Sequence, residues 1–511
     1  MFRFSGDVRH RSGLWRPHGL CSAAVACGMV LTAGAQTATG EREASVAIPS
    51  GTLATTFEQL RVTAIADGLI AYLDRAVRWV DQPESNMPVA SISEKIRSAV
   101  MAHPEVRLAG EQRATAALAT REAYGGFLPK VTANLESGKR QNDPVNTPWN
   151  VAPAFQDNSK AFAVTANQLV YDFGALGHQV DARTAQERVA LSRADLKTSE
   201  LALRATSAWL EMFRARQLVD LSAMNVSSRQ QLLTFIEERE QLGASAKSDV
   251  LRARARLADA QVSASEAQTQ IAAAEATYRE IFNEAAPRMV QLPRVPDMPL
   301  QRYANFDYLF GRSPQLAQAV AQTEAARLEA KSAAAALRPA VYFDFTARRR
   351  DLGGEGTAGT DWTAGFVVRQ TLYSGGSDLA RKQQADQRAI EAQLAEDNVK
   401  RQLERLYAQA IADVQTRVAA VTARKEAAKV AAVALEAVRE QFAFRRGSLL
   451  DLLRAQEELF VAGRQLIDGV VDESLARYRL LHLAMELNPL FEIAAQLPLI
   501  PVQMPFMSAT K

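Results

Sequence analysis

Two aspartates occupy matching places in this sequence, Asp249 three residues before Arg252 and Asp451 three residues before Arg454. Side chains at i and i+3 of a helix share a face, so each carboxylate can be neutralised by its guanidinium. Asp451 also stands three residues after Ser448, the spacing of a capping box that sets a carboxylate at a helix N-terminus. Such groups attract or exclude ions; they do not make or break bonds. Nothing else in the chain competes for a chemical role. His10, His18, His103, His178 and His482 are scattered and none belongs to an H-x-x-x-H pair, so a metal site has nothing to build on. Gly353-Gly354-Glu355-Gly356 lacks the lysine and helix start of a phosphate cradle, and no spacing of Asp, Ser and His suggests a triad. The sequence therefore predicts neither an enzyme nor a cofactor.

The aspartates belong to a duplication. His103-Pro104-Glu105-Val106 answers Ser313-Pro314-Gln315-Leu316, and Phe127-Leu128-Pro129-Lys130-Val131 answers Leu337-Arg338-Pro339-Ala340-Val341, both at an offset of 210. Gln168-Leu169-Val170-Tyr171-Asp172-Phe173-Gly174 answers Gln370-Thr371-Leu372-Tyr373-Ser374-Gly375-Gly376, and Asp249-Val250-Leu251-Arg252-Ala253 answers Asp451-Leu452-Leu453-Arg454-Ala455, both at 202. One change of register, falling in a loop, is what duplication and loop trimming leave.

Each copy must hold its aspartate at the end of a long rod. No proline occurs between Pro153 and Pro287 or between Pro339 and Pro489, and no glycine between Gly177 and Gly243 or between Gly376 and Gly447. Uninterrupted helix from Gly174 to Gly243 would be about 100 Å long. Val399, Leu403, Leu406, Ala410, Val414, Val418 and Val421 form a narrow stripe among charged residues, the seam of a coiled coil. Pro129 and Pro339 each end a helix, and alternation begins: Val131, Ala133 and Leu135 on one face, then Val341, Phe343 and Phe345 in the second copy. Strands are expected at about 131–140, 161–171, 341–350 and 362–373. Trp362, Ala364, Phe366 and Val368 share one face of the last. Their length suits a tilted strand crossing a bilayer, apolar outside and polar inside. Four such strands cannot close a water-holding barrel, so several subunits must contribute.

The chain of 511 residues is 48% hydrophobic, and 60 basic residues nearly balance 57 acidic ones, which gives no argument for nucleic acid. Residues 1–35 resemble an export signal: Arg3, Arg9, Arg11 and Arg16, a short apolar run from Leu20 to Leu31, and Ala33-Gly34-Ala35 as a cleavage pattern. Both cysteines, Cys21 and Cys27, lie inside it, so the processed chain holds no disulfide. Cys27 has the setting of a lipidation site without the usual leucine three residues ahead. No later stretch has the length of a transmembrane helix.

These blocks, in this order and twice over, resemble the TolC family of outer-membrane efflux and secretion channels, from about Ser91 to Leu487. The resemblance implies a mainly helical protein with a small membrane β-barrel portion, each copy a helix-strand-strand-helix unit. Three chains would form a homotrimer with a 12-stranded β-barrel continued by a 12-helix α-barrel, placed in the bacterial outer membrane and reaching into the periplasm. Residues 36–90 form an extension outside the family pattern, with an extra helix expected over Phe57–Val80. Repeat one covers 91–283, an equatorial linker 284–305, repeat two 306–487 and an equatorial tail 488–511. By the same resemblance Asp451, with Asp249, would ring the closed periplasmic mouth, where like charges in a narrow opening tune selectivity and ease of opening. Arg454, mirrored by Arg252, stands where relatives often carry a second acid, which implies a less cation-selective mouth.

The run from Gly447 through Leu459-Phe460 to Ala476-Arg477-Tyr478-Arg479-Leu480-Leu481 resembles members serving type I secretion, in which an inner-membrane ABC transporter and a periplasmic adaptor (membrane fusion) protein pass an exported protein substrate. The alternative is the outer-membrane part of a small-molecule or multidrug efflux pump, with an RND pump as the partner. An exported periplasmic helical scaffold is the alternative of another class. Gly447, Ser448, Leu449 and Leu450 mark a helix tip, with adaptor docking and plain packing both open for the leucines. Arg348, Arg349 and Arg350 end the third strand and suit either outer-membrane lipids or a solvated loop.

Overall fold

The computed structural model describes residues 65–81, 89–142, 146–147, 150–151, 155–293, 295, 298–350 and 359–493. The expected signal segment, residues 36–64 of the extension, Gly353 to Gly356 and the tail beyond Ile493 lie outside these residues. Helix α1 spans Asp67–Asp81, α2 Val89–Ala102 and α3 Pro104–Tyr124. Strand β1 (Lys130–Asn142), a small hairpin of β2 (Asn146–Thr147) and β3 (Asn150–Val151), and β4 (Phe155–Tyr171) follow. Helices α4 (Ala175–Gln241) and α5 (Lys247–Phe282) complete the first copy. After short helices α6 (Leu300–Tyr303) and α7 (Phe306–Phe310) come α8 (Pro314–Ala335), β5 (Ala340–Arg350), β6 (Thr360–Arg369), α9 (Ser377–Ala443), α10 (Leu449–Leu483) and α11 (Leu487–Leu490).

Duplication is visible in the capping chemistry. His103 precedes Pro104, and its Nδ1 accepts from the Glu105 amide at 3.3 Å; in the second copy Ser313 precedes Pro314, and its hydroxyl accepts from the Leu316 amide at 3.4 Å. His103 is thus a helix cap, with proline in the first turn where no amide is needed. The rods begin alike: Gly174 and Gly376 cap α4 and α9 at φ 84° and 83°, a left-handed turn that side chains resist. Asp172 accepts from the Gly174 and Leu176 amides at 3.0 and 2.7 Å, whereas Ser374 accepts from Asp378 at 3.3 Å. The expected final strand reached Tyr373, but β6 stops at Arg369 and residues 370–376 turn into α9 instead. In the first copy β4 does run to Tyr171, accommodating a register shift between Leu169 and Tyr171.

Each 67-residue rod, α4 and α9, is about 100 Å long. Buried residues of α5 fall on two seven-residue series, Val250, Leu257, Ile271 and Tyr278, and Ala253, Ala260, Ala267 and Ile281. In α9 the series is Tyr407, Val414, Val421, Ala428, Leu435 and Phe442. A seven-residue period keeps a seam straight against its partner, as in left-handed coiled coils. Of the expected stripe Leu403, Val414 and Val421 are buried and Val399 and Ala410 pack partly buried beside them, while Tyr407 is buried where Leu406 is half-buried, and Val418 is exposed. Halfway along α4, the Trp209 indole donates to the Gln291 carbonyl at 3.0 Å, tying the 284–305 segment to the rod's waist.

Within the extension α1 covers Asp67–Asp81; of the helix expected over Phe57–Val80, residues 57–64 lie outside the described residues. At 15 residues α1 would be marginal alone, and docking holds it. Leu69, Tyr72 and Leu73 join the apolar cluster formed by the lower ends of α4, α5, α9 and α10. The Tyr72 hydroxyl donates to the Gln217 carbonyl of α4 at 2.9 Å. Buried Arg439 of α9 donates to the Ile65 carbonyl at 3.1 Å and pairs with Asp67. The extension therefore ties the C-terminal end of α9 to the C-terminal half of α4.

Asp195 on α4 gives one pH-dependent contribution to this packing. Burial pushes its carboxyl up from 3.8 to about 6, against the opposing pull of Arg113 on α3. A raised carboxyl pKa means that the fold holds the proton more tightly than the unfolded chain, so this contribution is lost as pH rises from about 4 to about 6. Asp195→Asn should flatten thermal stability across that window and raise it above pH 6. A melting profile unchanged in slope would refute the assignment.

Candidate functional site

The four long strands form one antiparallel sheet in the order β1-β4-β5-β6. Residues paired across strands point to the same side, so the register defines two faces. On one lie the rows Val131-Ala166-Phe345-Ala364, Ala133-Val164-Ala347-Trp362 and Leu135-Phe162-Arg349-Thr360. Below them Phe343 faces Phe366, with ring centroids 5.5 Å apart, and Val341 faces Val368. On the other face stand Thr132-Thr165-Thr346-Thr363, one threonine from every strand, between Asn134-Ala163-Arg348-Asp361 and Lys130-Asn167-Asp344-Gly365. Asp344 accepts from Arg369 at 2.6 Å and from Asn167, Arg348 pairs with Glu136 at 3.2 Å, and Arg350 with Asp361 at 3.1 Å.

Among the described residues nothing covers the apolar face: Leu135 is 74% exposed, Trp362 71% and Phe366 70%. An exposed aromatic sheet face is a membrane-facing or assembly surface. Strands β1 and β6 are open edges, 13 and 10 residues long, each a row of backbone groups awaiting a partner. Among the described residues no helix is long and apolar enough to cross a membrane.

At the far end of the rods the two hairpins turn. Ser448 caps α10: its hydroxyl accepts from the Asp451 amide at 3.1 Å and donates to the Asp451 carboxylate at 2.7 Å. Asp249 sits in the first turn of α5 and pairs with Arg252 at 3.6 Å. The i, i+3 neutralisation expected of both copies is thus present in the first; in the second, Asp451 is held by Ser448, and Arg454 projects outward. Leu449 is buried in the tip cluster, whereas Leu450 is 39% exposed. Gly447 lies where a Cβ would come within 3.1 Å of the Phe442 nitrogen, so the turn is tight.

Leu242 and Phe444 escape sequence reasoning. They end α4 and α9 at the same offset of 202, and are 83% and 61% exposed. Their repeat position was the available signal, hidden because each reads as the last apolar residue of its rod. Above the tip the hairpins are tied by Arg239, 5.8 Å over Phe235 and 5.7 Å over Phe442, and by fully buried Arg229. Arg229 donates from α4 to the Leu453 carbonyl at 3.2 Å and to Glu457 at 2.9 Å. Burial pulls its pKa down, and Glu457 opposes that shift. His482 lies 2.8 Å from the Ser199 hydroxyl, and no cluster of metal-ligating residues occurs among the described residues.

The one-sided sheet with its open edges and the long paired rods leave exposed apolar surface among the described residues. The family model described as "Outer membrane efflux protein" matches residues 96–284 and 308–479, and the chain belongs to this family. It is an outer-membrane channel protein extending into the periplasm, and not an enzyme. Outer membrane efflux protein BepC of Brucella suis biovar 1 (strain 1330) is 24% identical over 377 residues, 70% of this chain and 77% of that one. The fold matches a crystal structure of a membrane protein from Pseudomonas aeruginosa with TM-score 0.71 at 18% identity, covering 77% of this chain and 93% of that one. It also matches the Campylobacter jejuni CmeC outer membrane channel with TM-score 0.70 at 13% identity, covering 77% and 85%. Both matches bear out the mainly helical fold class read from the sequence.

Proposed function

We propose that three copies join edge to edge, β6 of one beside β1 of the next, closing a 12-stranded barrel continued by a 12-helix tunnel, and that this duct is a passive, gated exit for type I protein secretion. The observation carrying the assembly is the sheet itself: four strands with one apolar face and two open edges, too few to enclose water. The rods offer a second unpartnered stripe, with Ile390, Leu394, Val430 and Val433 of α9 exposed at seam-like spacing. The run from Gly447 to Leu481 supports protein cargo by its resemblance to members serving type I secretion. Small-molecule efflux is the second reading, supported by the name of the BepC relative. Cells lacking the protein separate the two: loss of an exported protein supports secretion, and heightened sensitivity to toxic small molecules without such loss supports efflux. A periplasmic scaffold would leave membranes in a high-salt wash, whereas the channel stays and migrates as a trimer.

Asp249 and Asp451, with Arg252 and Arg454, form the gate in this reading, and Leu242, Phe444 and Leu450 offer the adaptor an apolar patch beside Gly447 and Ser448. Leu449 contributes packing. The inner-membrane partner is an ABC transporter for secretion, or an RND pump for efflux. Because Arg252 pairs with its aspartate and Arg454 does not, Arg252→Ala should raise cation selectivity in planar bilayers more than Arg454→Ala. Equal or absent shifts would remove these residues from the gate.

A further inference from the structure

We infer that the barrel wall carries a docking strip for the phosphate of an anionic outer-leaflet lipid, built from Arg349, Lys160 and Lys139; the inference rests on the proposed membrane-spanning sheet. The run Arg348-Arg349-Arg350 is split by the strand's alternation. Arg348 and Arg350 point to the polar face and are neutralised by Glu136 and Asp361. Arg349 alone points to the apolar face, in the row of Leu135, Phe162 and Thr360.

The next row on that face pairs Ser137 with Lys160, and the one beyond it places Lys139. The three cations therefore step diagonally across β5, β4 and β1, at same-face neighbour spacings of roughly 7–8 Å, within reach of one phosphorylated headgroup. All three are exposed, and among the described residues none has a carboxylate partner. Their placement is one-sided. The helix-proximal end of the same face carries Val131, Val341, Gln168 and Val368 and no cation, while the distal end, away from the periplasmic rods, carries three. Long basic side chains at the border of an apolar band extend their stems along it and place their charges at headgroup depth. A bilayer with phosphate-rich lipid in its outer leaflet is the surface this asymmetry fits.

The test uses the purified full-length trimer in phosphatidylcholine nanodiscs, with diphosphoryl lipid A as the probe and retained lipid counted by native mass spectrometry. Wild type should retain lipid A over phosphatidylcholine, and Lys139→Gln/Lys160→Gln/Arg349→Gln should lose that preference by on the order of 100-fold, since each surface cation contributes about fivefold. Inorganic phosphate should not compete at equal concentration, because the lipid's acyl chains share the site. Arg348→Gln/Arg350→Gln, which removes the paired cations, should retain lipid A as wild type does. Undiminished retention by the triple variant, or no preference in the wild type, overturns the inference while leaving an inserted trimer intact. Failure to insert at all would overturn the membrane-spanning sheet and the inference together.

Discussion

Phe345→Arg will abolish assembled trimer in the outer membrane, whereas Thr346→Arg, one residue further, will leave the trimer in place and alter the conductance. Phe345 lies in the apolar face between Ala166 and Ala364, with Phe343 and Ala347 in the rows on either side, and Thr346 lies in the threonine row of the opposite face. A guanidinium at the midplane of a lipid-facing barrel surface costs about 2–4 kcal/mol, and closing one barrel from three chains incurs it three times. The same group on the lumen side remains in water. Heat-stable trimer on gels of purified outer membranes reads the first effect, and single-channel current reads the second. Equal loss of trimer from both variants would mean that the sheet has no lipid side.

Arg229→Ala will separate the hairpins near the tip. The side chain of Arg229 is 1% exposed, and its two bonds cross from α4 to α10. Removing one member of a buried pair typically costs 3–5 kcal/mol; Glu457 is 48% exposed and can rehydrate, so about 2 kcal/mol is the expected loss here. Arg229→Met fills the same space without a buried charge and should cost far less. Thermal unfolding of the trimer and its resting conductance should both move with alanine and scarcely with methionine. An alanine variant with wild-type stability and current would show that this contact does not hold the tip closed.

Much of the architecture was legible because long rods and half-buried strands leave periodic traces. The duplication, the proline-ended helices and the alternation after Pro129 and Pro339 all follow from backbone rules that operate within a few residues. What escaped depends on contacts between distant segments. Whether Leu406 or Tyr407 enters the seam is a one-residue phase choice, made by the partner helix. Tyr373 belongs to an alternating run, yet the left-handed glycines Gly375 and Gly376 claim the preceding residues for a turn. Asp451 had two available partners within three residues, and only the folded tip shows Ser448 taking it. The sorting of Arg349 from its neighbours needed only the strand period, but its company with Lys160 and Lys139 required the register between strands. Nothing in the sequence of α1 announced the rods as its partner.

Current through single molecules in planar bilayers tests the central claim most directly. The trimer account predicts discrete steps that scale with trimer number, retained by Thr346→Arg with altered selectivity and absent with Phe345→Arg. Membranes that stay electrically silent with stably inserted trimer, or steps arising from single chains, would contradict a shared barrel closed by three subunits.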